Sequence, residues 1–366
     1  MVPAVIPALG EPASSGYRAA MLQTSAAFQS ARPRAIARWL FLVAAMVVAI
    51  VVVGGITRLT ESGLSITEWK PLTGIMPPIT QAQWQAEFAN YRRIPQYQLM
   101  NAGMTLAGFK AIFFWEYLHR FLGRFIGMAY VVPLLWFAAR RRIPAGYTLR
   151  LVALFSLILL QGTFGWLMVK SGLTDRTEVA PGWLALHLVT ALFTLAGMVW
   201  TALDLRALHR TGYDSPARLL LVGAIALVGL FVQIMFGAFT AGLRAGYAFA
   251  SWPLMGDRLF PADVPMLTPA WRNAIDNPIV VQFIHRWWAF AAAAALVWLA
   301  VAATRVGSKT GFWVVGLVTL QIFLGVATLM TGVRIEVAVA HQVNAALLLI
   351  AAVAATHAVG KRPLVL

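Results

Sequence analysis

The chain is 366 residues long, with 60% apolar residues, 11% charged residues and a formal net charge of +16. Such an apolar composition excludes an ordinary water-soluble domain and points to lipid as the surrounding solvent. The positive charge does not indicate nucleic acid as a partner, because the basic residues lie in separate polar segments and form no single basic surface.

Eight stretches are long and apolar enough to be membrane-spanning helices. A spanning helix needs about 20 mainly apolar residues, since only a backbone that satisfies its own hydrogen bonds is stable in hydrocarbon. The fold class predicted from these stretches is an all-α polytopic membrane protein with eight transmembrane helices. In chain order the helices are predicted at residues 39–56, 108–138, 149–169, 183–203, 219–240, 280–303, 312–331 and 337–358.

Residues 1–35 are predicted to form a flexible cytoplasmic tail. They are rich in Ala, Ser and Pro, and they lack the basic segment, apolar core and cleavage site of a signal peptide. The inner connections predicted between the helices are rich in Arg and Lys, with Asp204 and Asp214 as their only acidic residues. Positively charged loops stay in the cytoplasm, which predicts a bacterial inner-membrane protein with both termini cytoplasmic.

The helices fall into two similar sets of four. Long outer loops, near residues 57–103 and 241–278, each follow the first helix of a set. Four is an even number, so the two sets would cross the membrane in the same orientation, which disfavours an inverted-repeat transporter. The pattern predicts two tandem, pseudo-twofold-related four-helix bundles, as domains at residues 36–210 and 211–366. The motifs that recur are Gln161-Gly162-Thr163-Phe164-Gly165 with Gln321-Ile322-Phe323-Leu324-Gly325, and His119-Arg120 with His285-Arg286. The glycines could equally serve close helix packing.

Four of the six histidines are predicted inside the membrane. They are His119, His187, His285 and His341, in the outer, periplasmic halves of the even-numbered helices, whereas His209 and His357 are predicted to contact water. An ionisable group inside a membrane helix costs roughly 2.5 kcal/mol or more, so it needs a partner or a task. Opposed imidazoles from two helices can hold a haem iron axially. The alternative is a hydrogen bond to a neighbouring helix, repeated in both halves.

An arginine directly follows one histidine of each pair, as Arg120 and Arg286. A guanidinium binds carboxylates through two parallel hydrogen bonds, so these residues are candidates for contact with haem propionates. For Arg120 an ion pair with Glu116, one helical turn earlier, is the alternative.

A carboxyl group distinguishes the two halves. Glu116 precedes His119 by three residues, whereas Gln282 occupies the equivalent position before His285. Since an amide cannot exchange a proton, the chemistry is expected in the N-terminal half, with Glu116 as the catalytic carboxyl. Simple neutralisation of Arg120 by Glu116 remains the alternative.

Further motifs lie at residues 54–65, 94–97, 114–120, 172–176, 241–246, 252–256, 282–286 and 341–342. In these segments the chain resembles the haem A synthase family, which includes the Cox15/CtaA-type proteins. The resemblance implies oxidation of the C8 methyl group of haem O to the formyl group of haem A by successive hydroxylations. It also implies that His119 and His187 flank the substrate haem O, while His285 and His341 ligate the iron of a resident haem b. Unlike some members, this chain has no cysteine pair in the first outer loop, which places it with the proteobacterial and mitochondrial branch.

Two other functions are compatible with the same residues. A di-haem cytochrome b would carry two permanent haems and make no product, and a haem carrier would move haem without oxidising it. For the enzyme, the expected partners are haem O, membrane lipid, haem O synthase and cytochrome oxidase assembly factors, with an unidentified electron acceptor and a homo-oligomer left open. The aromatic residues of the first outer loop, Trp69, Trp84, Tyr91 and Tyr97, could form a lid over the N-terminal haem or an interfacial anchor.

Overall fold

A computed structural model describes residues 31–70, 73–212 and 216–361 of the chain. Eight long helices in these ranges are apolar enough to cross a membrane, which makes the chain a multi-pass membrane protein as predicted. Residues 1–30 of the predicted tail, and Asp214, lie outside the described residues. The long helices are α1 (Pro33–Leu59), α2 (Leu106–Ala139), α3 (Thr148–Lys170), α4 (Pro181–Thr211), α5 (Leu221–Gly242), α6 (Pro278–Arg305), α7 (Thr310–Met330) and α8 (Ile335–Gly360).

The helix starts follow the ordinary chemistry of helix N-termini. Helices α1, α4 and α6 have proline in their first turn, where the missing N–H breaks no helical hydrogen bond. The Thr105 side chain accepts a hydrogen bond from the first turn of α2, and the Asn277 side chain does the same for α6. The loops before these helices therefore end at defined points, which sets the depth of the residues that follow.

Each set of four helices packs as a ring. In the first set α1 contacts α2 and α4, and α3 contacts α2 and α4; in the second, α5 and α7 contact α6 and α8 in the same way. The two rings meet where α4 lies against α5 and α8, and where α1 lies against α8. The division into domains at residues 210 and 211, and the pseudo-twofold axis, stay predictions.

The two ends of the helices differ in their connections. Residues 60–105 and 243–277 lie at one end, here called the long-loop end, with the short connection 171–180. Connections of fewer than ten residues join α2 to α3, α4 to α5 and α6 to α7 at the opposite, short-loop end. Because even-numbered helices start at the long-loop end, residues early in α2, α4, α6 and α8 share one depth.

The first long loop contains two short helices, Gln81–Tyr91 and Pro95–Leu99. Trp84, Tyr91 and Phe88 pack against Phe109 at the start of α2, and Tyr97 packs against Phe88 and Tyr91. The aromatic residues thus form a core that fixes the loop to the end of α2. Trp69 lies apart from them, 48% exposed and close to Trp166.

A buried polar cluster at the short-loop end corrects the sequence interpretation of one histidine, His357. His357 was expected to contact water, but it is only 4% exposed, and its Nε2 atom lies 2.9 Å from the buried Asp204 carboxylate. Asp204 also accepts hydrogen bonds from Arg150 of α3 and the backbone N–H of Ala217. His209, which was also expected to contact water, is exposed in the last turn of α4.

Candidate functional site

The four membrane histidines meet in two pairs, one inside each ring of helices. The imidazole centroids of His119 and His187 are 6.5 Å apart, and those of His285 and His341 are also 6.5 Å apart. An iron atom held by two imidazole nitrogens, each about 2 Å away, needs ring centres separated by roughly 6 Å. Both pairs therefore fit axial coordination of one metal by two histidines. Within the described ranges, no cluster of three or more His, Asp or Glu side chains that could hold a metal ion was found.

Each imidazole lies against a glycine of the preceding odd-numbered helix. A Cβ atom added to Gly54 would lie 2.9 Å from Cε1 of His119, and one on Gly165 would lie 3.1 Å from Cε1 of His187. In the second ring, Gly237 and Gly325 meet His285 and His341 at 3.0 and 3.1 Å. These glycines do allow close helix approach, but all four histidines also need the space that the missing side chain leaves, and each such residue is here called a seat glycine. Gly162, which shares the recurring motif, has nothing within 4 Å of such a Cβ.

Glutamines hold three of the four imidazoles. The Gln161 side chain lies 2.9 Å from Nδ1 of His187, Gln233 lies 3.1 Å from Nδ1 of His285, and Gln321 lies 3.2 Å from Nδ1 of His341. Each glutamine precedes its seat glycine by four residues, one helical turn, so both face the same histidine. Sequence analysis singled out Gln161 and Gln321 only as part of a repeat and missed Gln233. The signal that could have found it is the Gln-x-x-x-Gly spacing on helices that precede a histidine.

Glu116 is buried beside His119 and is fully hydrogen-bonded. Its Oε1 atom forms an ion pair with Arg120 at 2.5 Å, and its Oε2 atom accepts hydrogen bonds from Ser65 Oγ at 2.7 Å and Ile66 N at 2.8 Å. Arg120 also donates to the backbone carbonyls of Ile66 and Glu68. The predicted Glu116–Arg120 ion pair is confirmed, and both side chains tie the first long loop to α2.

Gln282 and Arg286 hold the second long loop in the same manner. Arg286 donates to the carbonyl oxygens of Phe249, Ser251 and Leu254, and Gln282 donates to Phe249 as well. A tryptophan of each loop lies near the arginine, with Trp69 5.7 Å from Arg120 and Trp252 6.0 Å from Arg286. The guanidinium groups, each next in sequence to a histidine, thus bind the two long loops to α2 and α6. Of their N–H groups, the buried Nε of Arg286 has no hydrogen-bond partner among the described residues.

Charged and polar contacts join the two rings near the histidines. Gln342, next to His341, donates to the carbonyl oxygen of Val51 on α1, and its amide packs against Gly55. At the long-loop end, Arg244 forms ion pairs with Glu61 and Glu178. Burial lowers the pKa of Arg244, but the two carboxylates raise it by more, so the pKa lies above its ordinary value. The second ring is therefore bound directly to the loop and helix that border the first histidine pair.

Together, the fold and the site define a multi-pass membrane protein that presents two pairs of inward-facing histidines, each beneath an arginine-anchored loop. The family model described as cytochrome oxidase assembly protein (COX15-CtaA) matches residues 37–353. A match over that much of the chain places it in this family, the haem A synthase family, to which the sequence motifs also pointed.

Curated relatives are similar along nearly their whole length. The chain is 56% identical to a protein of Rhizorhabdus wittichii, covering 91% of this chain and 96% of that protein. It is 52% identical to a protein of Sphingopyxis alaskensis, covering 93% and 96% respectively. A protein of Novosphingobium aromaticivorans is 50% identical over 90% of this chain and 96% of its own length. All three relatives are named Heme A synthase.

Proposed function

We propose that the chain is a haem A synthase, an oxidoreductase that converts the C8 methyl group of haem O to the formyl group of haem A. The observation that carries the proposal is the presence of two histidine pairs with equal spacing but unlike surroundings. A carboxylate, Glu116, lies one helical turn before His119, and an amide, Gln282, lies one turn before His285. High identity to relatives named Heme A synthase supports the assignment.

The two pairs are assigned different tasks. His119 and His187 would hold the iron of the substrate haem O, and His285 and His341 would hold the iron of a resident haem b. Bound there, haem b would supply one-electron transfer, which suits an iron with both axial positions filled. The unpartnered Nε of Arg286 offers a donor for a propionate of that haem, and Arg120 is the equivalent candidate in the first ring.

Glu116 would act on protons at the substrate methyl group. Conversion of a methyl to a formyl group removes four electrons and introduces one oxygen atom, and the carbon loses two hydrogens overall. A carboxylate within one helical turn of His119 is placed to accept such protons. Both Glu116 oxygens are held by donors, so the contact from Ser65 or Ile66 must open before Glu116 takes up a proton.

The equal spacing of the histidines favours one other candidate, a di-haem cytochrome b. Two identical 6.5 Å separations are what two permanent, six-coordinate haems would need. That protein would transfer electrons and leave its haems chemically unchanged. Formation of haem A therefore separates the two functions.

The decisive experiment is purification of the protein from cells that make haem O, followed by identification of the extracted haems. The expected result is haem b together with haem O and its oxidised products. Glu116→Gln should retain the bound haems but make little or no haem A, because the amide preserves much of the hydrogen bonding without the carboxylate. Haem b as the only haem in the parent protein, with no haem A under any supply of haem O, would overturn the proposal.

The histidine assignment has its own test in the same preparation. His285→Ala or His341→Ala should remove haem b preferentially, and His119→Ala or His187→Ala should remove haem O. If the alanine variants of His119 or His187 lose as much haem b as those of His285 or His341, the division of tasks is contradicted.

The cellular setting follows from the proposed activity and the charge distribution. We place the chain in a bacterial inner membrane, with both termini cytoplasmic and the histidine pairs toward the periplasm. Its partners there would be lipid, haem O and the proteins that make haem O and assemble cytochrome oxidase. Homo-oligomerisation is compatible with the exposed helix faces.

A further inference from the structure

His119 differs from the other three membrane histidines in having no partner for its second ring nitrogen. Its Nδ1 atom is buried and makes no hydrogen bond within the described residues, whereas His187, His285 and His341 each have a glutamine there. Ile50 occupies the position on α1 where α5 has Gln233, four residues before the seat glycine in both helices. The ring of His119 rests against Gly54 without a polar clamp.

No other side chain of α1 can replace the missing glutamine. From Phe41 to Gly55 every residue of α1 is apolar or glycine. The next polar side chain, Thr57, is already bonded to the carbonyl oxygens of Val53 and Trp115. The absence of a clamp is therefore a property of the whole helix face and not of one rotamer.

A glutamine can orient the imidazole in either tautomer. When Nε2 ligates iron, the proton is on Nδ1 and needs an acceptor; when the proton is on Nε2, Nδ1 needs a donor. An amide supplies both, exchanging them by a half-turn of its terminal group. The Oε1 atoms of Gln161 and Gln233 are buried with no hydrogen-bond partner in the described parts of the chain, whereas their Nε2 atoms face Nδ1 and also donate to the backbone carbonyl oxygens of His187 and His285. A half-turn of either amide would bring the unpartnered Oε1 to Nδ1 as an acceptor and would break the contact with the backbone carbonyl.

Such outer contacts fix a ligating histidine and raise its basicity, and their loss typically costs about 10- to 100-fold in metal affinity or activity. We propose that Gln161, Gln233 and Gln321 are positioning residues for three firm histidine ligands, and that the unclamped His119 is the weak ligand through which the iron in the first ring becomes accessible. The inference rests on the proposed function and adds that the iron in the first ring opens on the side of His119. Oxidation at haem O would then be confined to the ring whose ligand can leave.

The test exchanges the two equivalent residues. Ile50→Gln gives His119 a clamp, Gln233→Ile removes the clamp from His285, and Ile50→Leu is the control that keeps an apolar side chain. The probe is carbon monoxide added to the reduced, purified protein, with binding followed in the optical spectrum. Protein from cells without haem O reports on the second ring, because we expect haem b alone there; protein from cells with haem O reports on both rings.

In the parent protein and in Ile50→Leu, carbon monoxide should bind to the haem of the first ring and not to that of the second. Ile50→Gln should slow this binding roughly 10- to 100-fold, and Gln233→Ile should allow carbon monoxide to bind haem b. If Ile50→Gln does not fold, Gln233→Ile alone decides the question.

Carbon monoxide binding that is unchanged in both exchange variants would overturn the inference, even if haem A is still made. Binding at the second ring and not the first in the parent protein would overturn it as well. Failure of the parent protein to convert haem O, with the carbon monoxide pattern as expected, would overturn the proposed function and leave the weak-ligand assignment standing.

Discussion

Single glycines set the position of each imidazole in this protein. Because the histidine rings lie at van der Waals distance from the backbone of the neighbouring helix, even one added carbon changes where the ring can go. For His187, His285 and His341 a glutamine one turn away also contacts the ring nitrogen and fixes the rotation of the ring. Depth and orientation of these three side chains are thus controlled by two residues on the same helix face.

Gly165→Val should displace His187 and reduce haem bound in the first ring. The Cβ atom alone would approach Cε1 to 3.1 Å, and the two methyl groups add further volume toward the ring. We expect a loss of haem O occupancy of roughly tenfold or more, measured by extraction and chromatography after purification. Gly162→Val, three residues earlier on the same helix with open space around its Cβ, should retain haem. Equal occupancy in both variants would show that the seat glycine has no such role.

The sequence singled out the four histidines that meet in pairs, because ionisable residues stand out in apolar helices at repeated positions. It did not predict Gln233, since its polar contact depends on a histidine that follows 52 residues later in the chain. It was wrong about His357, whose partner Asp204 lies 153 positions away. The Gln-x-x-x-Gly spacing is a local trace of the contact that Gln233 makes, but it does not name the partner. No such local trace was recognised for His357, and proximity to the C-terminus was a poor guide to its exposure.

At the scale of elements, one arginine anchors each long loop. Arg286 holds three carbonyl oxygens of residues 249–254 with a planar group that a lysine cannot imitate. The only helical segments described within the second loop are short, Ala245–Tyr247, Ala270–Arg272 and Asn273–Asp276. Residues 249–254 lie between them and are held to α6 by Arg286, with one further hydrogen bond from Gln282.

Arg286→Lys should loosen this loop and expose it to protease. Loss of charge-assisted hydrogen bonds costs about 1.5–3 kcal/mol, which raises the population of the open loop roughly tenfold or more. Trypsin cleavage after the exposed Arg258 should accelerate accordingly, as followed by mass spectrometry. The control is Arg272→Lys, in the same loop, where the arginine forms an ion pair with the exposed side chain of Asp276. In this variant, cleavage after Arg258 should proceed at the parent rate. Matching rates in the two variants would contradict the anchoring role.

Asp204 links three helices and the α4–α5 connection at the short-loop end, and its side chain is 0% exposed. Asp204→Ala should lower the free energy of unfolding by about 3 kcal/mol, because it leaves buried donors without an acceptor. Asp276→Ala removes an exposed ion pair and should cost about 1 kcal/mol or less. Thermal unfolding in detergent measures the difference. A smaller loss for Asp204→Ala than for Asp276→Ala would mean that the cluster does not hold the helices together.

Helix existence was predictable and helix ends were not. Hydropathy located all eight long helices, yet α1 begins at Pro33 instead of residue 39 and α4 continues to Thr211 instead of residue 203. An apolar stretch reports the part of a helix that lies in hydrocarbon, while capping residues decide where the helix stops. In α4 the stop is Gly212, whose positive φ of 73° suits glycine.

For the whole molecule, the two rings form one body because the contacts between them lie at both ends. Gln342 and Arg244 join them near the histidines, and His357 with Asp204 joins them at the short-loop end. A rearrangement of the first ring of helices during turnover would therefore also change the contacts of the second. This coupling could not be predicted from the sequence, since its partners are contributed by distant helices.

The orientation of the molecule in the membrane is testable because the natural chain contains no cysteine. Single cysteines at Gln85 and Asp257, both exposed in the long loops, should react with a membrane-impermeant maleimide added to intact bacterial spheroplasts. Lys309→Cys, exposed in the α6–α7 connection, should react only after the membrane is permeabilised. The reason is that arginine- and lysine-rich short connections stay cytoplasmic, which leaves the arginine-anchored loops and the histidine pairs toward the outer face. Labelling of Lys309→Cys in intact spheroplasts, with protection of the other two, would reverse the assignment and move the histidine pairs to the cytoplasmic side.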